Sequence, residues 1–167
     1  MPEVGSGKAE CIICKLLAGN EPVSFVYRDS DCAAFMDIQP VNPGHILVAP
    51  NKHVPSMADL DAETAAHLML IAHKLTAALR ESGLRCEGVN LFLADGEAAG
   101  QDVFHVHLHL FPRYRGDGFG LHFGPDYMRR ERVELDEAAG RIRQALLRTT
   151  QREGRAGEQP PNSPHSP

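Results

Sequence analysis

His105-Val106-His107-Leu108-His109-Leu110-Phe111-Pro112-Arg113 is the stretch on which the reading of this chain turns. Histidine alternates with an apolar residue. That period belongs to a β-strand, whose successive side chains point to opposite faces. His105, His107 and His109 therefore share one face, and Val106, Leu108 and Leu110 share the other and belong to a core. At about 3.3 Å of rise per residue, neighbouring histidines stand roughly 6.5–7 Å apart. That is too far for them to bond one another, and it suits a phosphate or a metal lying across the face. A lone histidine would read as a polar residue on a wet strand. Three in register, each followed by an apolar side chain, argue against that reading.

The rest of the chain frames this strand. Its 167 residues suffice for one domain with a real core. A hydrophobic share of 43% and a charged share of 23% are ordinary for a globular protein. The formal charge of −5 gives no electrostatic case for nucleic acid or an anionic membrane. A phosphate ligand must then be attracted locally, by histidines, backbone N–H groups or Arg113. Residues 1–10 lack the apolar run of a signal peptide, and no stretch reaches the length of a membrane helix. Of the four cysteines, Cys32 and Cys86 sit in apolar surroundings and read as small buried residues. Without a secretory signal, the expectation is a reducing cytoplasm and no disulfide framework.

Residues 1–10 are expected to be a flexible tail, residues 11–150 the domain, and residues 151–167 a disordered tail rich in Gly, Glu, Arg, Ser and Pro. A short helix is predicted over 11–18, ended by Gly19-Asn20. Strands are predicted over 23–29 and 32–38, joined as a hairpin, with Ala33, Phe35 and Asp37 on one face. Residues 39–44 form a turn-rich loop, and residues 45–49 a third strand. The main helix spans 59–82. Its apolar stripe is Leu68, Ile71, Ala72, Leu75 and Leu79, with Asp59 or Asp61 capping its start and His67 and His73 at the surface. A fourth strand covers 88–94, and a glycine-punctuated polar loop covers 95–102. A second helix spans 136–149, with Ala139, Ile142, Ala145 and Leu146 on one side. Short connections imply an antiparallel sheet, and helices packed on it give an α+β domain.

Several motifs, in order, resemble the histidine triad (HIT) superfamily of nucleotide hydrolases and transferases, in its bacterial CxxC-containing type. They are Cys-Ile-Ile-Cys, Phe-Met-Asp-Ile-Gln-Pro, Pro-Gly-His-Ile-Leu-Val-Ala-Pro, Ala-Gly-Gln and the triad itself, covering roughly residues 11–115. The resemblance implies a five-stranded antiparallel sheet with a main helix and a C-terminal helix. It also implies a homodimer with a continuous sheet. It makes His107 the nucleophile, its Nδ1–H held by the carbonyl of His105, with His109 and His45 around the α-phosphate. A neutral imidazole attacks phosphorus well and also leaves well, so water can finish the reaction. Phe35, Asp37 and Ile38 match the nucleoside pocket, and Phe35 reads equally well as plain core. Gly100 and Gln101 stand where the family brings backbone N–H groups to the phosphate.

Two departures stand out. Asp102 replaces the family's frequent Ser or Thr, and Ala94 replaces its frequent Asn or Gln; Asn90 lies nearby in the chain. Cys11-x-x-Cys14 alone is a weak metal signal. In a subset of the family this pair is joined by the residues matching His53 and His105, which completes a Cys₂His₂ set suited to structural zinc. No organic cofactor is expected. The expected substrate is a purine nucleotide carrying a phosphoramidate or a polyphosphate, and Asp102 tilts the choice toward the phosphoramidate. Three other readings stand beside hydrolysis. One is transfer, as an adenylyltransferase or phosphorylase, and another a nucleotide sensor without turnover. The third is a metalloprotein using His105, His107 and His109 as ligands.

Overall fold

The computed structural model describes residues 10–157. The chain divides after Phe119 into two compact units. The first contains helix α1 (Ile12–Leu17), strands β1 (Phe25–Arg28), β2 (Cys32–Met36) and β3 (Ile46–Pro50), helix α2 (Ala62–Glu81), and strands β4 (Gly88–Phe92) and β5 (Leu108–Arg113). Short 3₁₀ turns occupy Met57–Asp59 and Glu97–Ala99. All strand pairs are antiparallel, in the order β1-β2-β3-β5-β4. The α+β class and the five-stranded antiparallel sheet are as expected.

Helix α2 starts where Asp61 accepts the Thr64 backbone N–H at 2.8 Å. Asp59 belongs to the preceding turn instead. The α2 stripe of Leu68, Ile71, Ala72, Leu75 and Leu79 is buried. It packs on Cys32 and Ala34 of β2, Ile46 and Val48 of β3, and Leu108 and Leu110 of β5. Each fully buried Leu, Ile or Val contributes roughly 1.5–3 kcal/mol. The period-two patterns of three strands and the 3.6 period of one helix thus meet in one core.

The other sheet face is shared. Helix α1 covers its β1–β3 end, where Ile13 and Leu17 pack with Ala33, Phe35 and Ala49. That leaves the β5 end to the histidines. The β3–β5 ladder spans only Ile46–Val48 against Leu108–Leu110. His105 and His107 therefore precede the ladder, in a segment that bends at 103–105 and where Val106 N–H donates to the Val54 carbonyl at 2.7 Å. Strand β2 likewise ends at Met36, before Asp37. Gly44, at φ 100°, makes the turn into β3; a Cβ there would lie 2.9 Å from a Leu84 methyl and 3.2 Å from the Pro112 ring.

The second unit carries α3 (Arg132–Gly157), with Leu135, Ile142 and Leu146 exposed. The helix runs past 149, through residues 151–157 where a disordered tail was expected. Gln, Arg, Glu and Ala in that stretch favour helix strongly enough to carry it over two glycines. The rest of that tail, and residues 1–9 of the N-terminal one, lie outside the described residues. Among the described residues, no helix is long and apolar enough to cross a membrane.

Candidate active site and metal cluster

Four histidines gather at the β3–β5 junction, and backbone groups dictate which nitrogen of each carries a proton. His107 is buried, and its Nδ1 lies 2.6 Å from the His105 carbonyl. A carbonyl only accepts, so Nδ1 bears the hydrogen and Nε2 keeps its lone pair. His45 follows the opposite rule. The Val41 backbone N–H donates to its Nδ1 at 3.2 Å, which leaves the hydrogen on Nε2. That Nε2–H donates to His109 Nδ1 at 2.9 Å, so His109 carries its hydrogen on Nε2. The His107 and His109 ring centroids are 4.8 Å apart. One nucleophilic nitrogen and one oriented donor thus stand side by side.

Burial holds two of these rings toward the neutral form. It pushes His109 down from 6.5 to about 4, with His107 and His45 adding to the effect. Burial also lowers His45, against the pull of Asp37. Asp37 Oδ2 lies 3.6 Å from His45 Nδ1, and its Oδ1 accepts the Gln39 backbone N–H at 2.7 Å. Asp37, His45 and His109 are close enough for a metal. His45 Nδ1 nevertheless accepts the Val41 N–H already, and its Nε2 carries the hydrogen given to His109, so His45 keeps no lone pair for a metal.

A cleft of about 620 Å³ opens beside His107. Ile13, Leu16, Leu47 and Val103 give it apolar walls, and Asp37 and His107 are among its polar lining. Phe35 lines this cleft while being fully buried, and meets Phe25 edge-on at 6.2 Å. Ile38 borders the cleft with its side chain fully exposed, so it forms rim and not floor.

Other expected residues are placed differently. The Gln101 side chain is buried and staples its own loop, donating to the Pro55 carbonyl at 2.8 Å and accepting from Gly96 N–H at 2.7 Å. It is not turned to a ligand. Gly100, at φ 84°, ends the Glu97–Ala99 turn and is exposed. Asp102 is exposed, and its carboxylate has no hydrogen bond among the described residues. Ala94 is buried, with no polar group to offer. Asn90 is on β4, where its Oδ1 accepts from Arg113 at 2.6 Å. Arg113 is held in turn by both oxygens of Asp117, and it donates to the Phe119 carbonyl at 2.7 Å. The guanidinium expected to draw phosphate is therefore committed to structure, and Asn90 with it.

The face expected to carry all three triad histidines is split. His105 Nε2–H donates to the Pro50 carbonyl at 2.9 Å, and its Nδ1 lone pair turns toward the cysteines. His105 Nδ1 lies 3.5 Å from both Cys11 Sγ and Cys14 Sγ, and His53 Nδ1 lies 3.4 Å from Cys14 Sγ. The four ligand atoms fall within 4.8 Å of one another. In a tetrahedral zinc site, sulfur and nitrogen ligands stand about 3.5 Å apart. The spacing, the donor set and the Pro50 carbonyl that orients the His105 ring all fit zinc. The same split removes His105 from any metal site shared with His107 and His109.

The HIT domain family model matches residues 18–116. The chain belongs to the HIT domain family. An uncharacterized HIT-like protein of Methanocaldococcus jannaschii is 37% identical over 133 residues, which is 80% of this chain and 98% of that one. The crystal structure of a zinc-bound histidine triad family protein from Mycobacterium smegmatis is 38% identical. It superposes with a TM-score of 0.65 over 72% of this chain and 86% of that one. An adenylylsulfatase of Arabidopsis thaliana is 28% identical over 83% of this chain and 72% of its own length.

Within this HIT domain, three polar contacts follow no sequence period. His67, expected at the surface, is half-buried and donates to Asp29 Oδ2 at 2.7 Å, where the Tyr27 hydroxyl also donates at 2.7 Å. The pair ties α2 to the β1–β2 turn. Cys86 is only half-buried, its thiol donating to the Gly88 carbonyl at 3.2 Å, whereas Cys32 is fully buried and its thiol is pushed up to about 12.

Proposed function

We propose that this protein is a hydrolase that cleaves purine nucleotides at the α-phosphate through a nucleotidyl-His107 intermediate, releasing AMP. The observation that carries the reading is the His107 Nδ1–H bond to the His105 carbonyl, which leaves Nε2 nucleophilic at the mouth of an apolar cleft. Asp37 is suited to the ribose hydroxyls and the apolar walls to the base. Nε2 of His107 bonds to phosphorus as the P–N bond breaks; the electron pair of that bond stays on the leaving nitrogen, which takes up a proton from solvent to become the amine. A water oxygen then bonds to phosphorus and displaces the neutral imidazole, releasing a proton to solvent. In this reading His109 Nε2–H donates to the phosphoryl oxygens as negative charge grows on them, the kind of oriented donor that speeds such steps. The adenylylsulfatase among the relatives favours an adenylyl group as the group transferred. Asp102 brings an unpaired carboxylate close in sequence to the triad. It favours an amine leaving group over a polyphosphate, and hence a nucleoside phosphoramidate.

Cys11, Cys14, His53 and His105 are the residues that hold zinc in this reading. A closed Cys₂His₂ site supplies folding free energy rather than chemistry. The reduced thiols suit a cytoplasmic protein. The partner expected is a second copy, joined along the edge strand β4, where Leu91 and Phe92 are exposed. The test is AMP release from an adenosine phosphoramidate by the purified protein. Turnover with accumulation of stoichiometric AMP and amine supports the reading; tight AMP binding without turnover would make the protein a sensor.

A further inference from the structure

The His45–His109 pair works as a donor only in one proton order, and that order hangs on a single backbone N–H. Val41 N–H can only donate, so while it faces His45 Nδ1 the hydrogens must run from His45 Nε2 to His109 Nδ1 and outward from His109 Nε2. If the Val41 N–H moved out of reach, His45 could turn its Nδ1–H toward Asp37, 3.6 Å away. His109 would then carry its hydrogen on Nδ1 and face a substrate with a bare lone pair, which repels a phosphoryl oxygen.

The residue next to Val41 is anchored with unusual completeness. Asn42 is buried at 4% exposure. Its Nδ2 donates to the Pro112 carbonyl at 2.9 Å and to Asp117 Oδ2 at 3.0 Å. Both partners accept, so the amide has one orientation. Its own carbonyl accepts the His45 N–H at 3.1 Å. Pro112 lies three residues beyond His109 on the same strand. The Asp117 side chain is buried too, and it grips Arg113 with both oxygens while accepting the Tyr114 and Phe119 N–H groups. A loop from one side of the sheet is thus clamped to the strand that bears His109.

We propose that Asn42, clamped by Asp117 and the Pro112 carbonyl, is a positioning residue that sets the proton order of the His45–His109 pair. It touches neither substrate nor the reacting atoms. Its effect on rate rests on the hydrolase reading, whereas its effect on the two rings does not. Outright loss of a transition-state donor costs roughly 10²–10³ in kcat. A loosened loop that leaves His109 donating for part of the time should cost about tenfold or more, with KM little changed, because ground-state binding is spread over the cleft.

The experiment is nitrogen NMR of histidine rings in the full chain, with and without Asn42→Ala, alongside kcat and KM for AMP release. In the parent, His45 and His109 should both show a protonated Nε2 and a bare Nδ1. In Asn42→Ala, a fraction of His45 should carry its proton on Nδ1, His109 should follow, and kcat should fall. Asp117→Asn keeps the shape and removes the charge-assisted grip, so it should move both rings the same way and decides the matter if Asn42→Ala does not fold. Unchanged ring protonation in folded variants overturns the proposal whatever the rate does. A parent that shows the stated proton order but releases no AMP would sink the hydrolase reading and leave the positioning role standing.

Discussion

His105 and His107 are tied by one carbonyl: the backbone oxygen of His105 accepts the Nδ1–H of His107 at 2.6 Å, while the His105 ring faces Cys11 and Cys14. In the proposed reading, the residue whose carbonyl orients His107 is thus also a ligand of the zinc. Loss of the metal should loosen the carbonyl that holds His107.

Metal analysis of untagged protein should therefore show close to one zinc per chain. Replacing Cys11 and Cys14 with serine should abolish it and lower Tm, because a closed site contributes to folding directly. AMP release should also fall, though less than when His107 itself is replaced. A parent without zinc, whose Tm does not rise on adding zinc, would refute the site.

Acid should destabilise the fold in two stages, and the sign follows from where the protons go. His109 is held at about 4 against an ordinary 6.5, so below 6.5 the unfolded chain takes up protons that the folded one resists. Its contribution is complete above 6.5 and drains away as pH falls toward 4. His45 is lowered as well and acts with the same sign. Asp117, gripped by Arg113, lies well below the carboxylate range. Asp29 lies there as well, its burial outweighed by hydrogen bonds from Cys32, Tyr27 and His67. Both contribute above the ordinary carboxylate value, and that stability is lost at still lower pH. Tm measured from pH 7 to pH 4 should decline, and His109→Gln should decline less steeply. A parent and variant with parallel profiles would contradict the assignment.

How far the residues alone announced this arrangement depends on the distance over which each contact acts. The α2 stripe is legible because helical spacing repeats it five times, and the apolar side of Leu108 and Leu110 because strand alternation does. The triad alternation is equally plain, yet it does not show that pairing begins only at Leu108, nor that His105 leaves the face of its neighbours. The turned-away His105 ring is held by the carbonyl of Pro50, 55 residues earlier in the chain. The meeting of His45 with His109, 64 residues apart, and of His67 with Asp29, 38 apart, follows no local period. The first came only through resemblance to the family, and the second not at all. Arg113 looked available for phosphate because its partner Asp117 sits in a loop, where a spacing of four has no fixed geometry.

Leaving-group choice should respond to Asp102. A carboxylate about 4 Å from another unit charge interacts by about 1 kcal/mol in water and about 4 at an effective dielectric near 20. Asp102→Ser should shift the kcat/KM ratio toward diadenosine tetraphosphate and away from an adenosine phosphoramidate, more so at low salt. An unchanged ratio would mean that Asp102 takes no part in selectivity.

The most direct measurement is to mix His107→Asn and the parent, separately, with an adenosine phosphoramidate, and to follow AMP release, AMP affinity and protein mass after rapid quench. The parent should turn over and show a transient adenylyl adduct on His107. The variant should bind AMP with little change and lose several powers of ten in kcat, because a covalent nucleophile has no substitute in the cleft. Substantial turnover by His107→Asn, or an adduct on any other residue, would contradict the account.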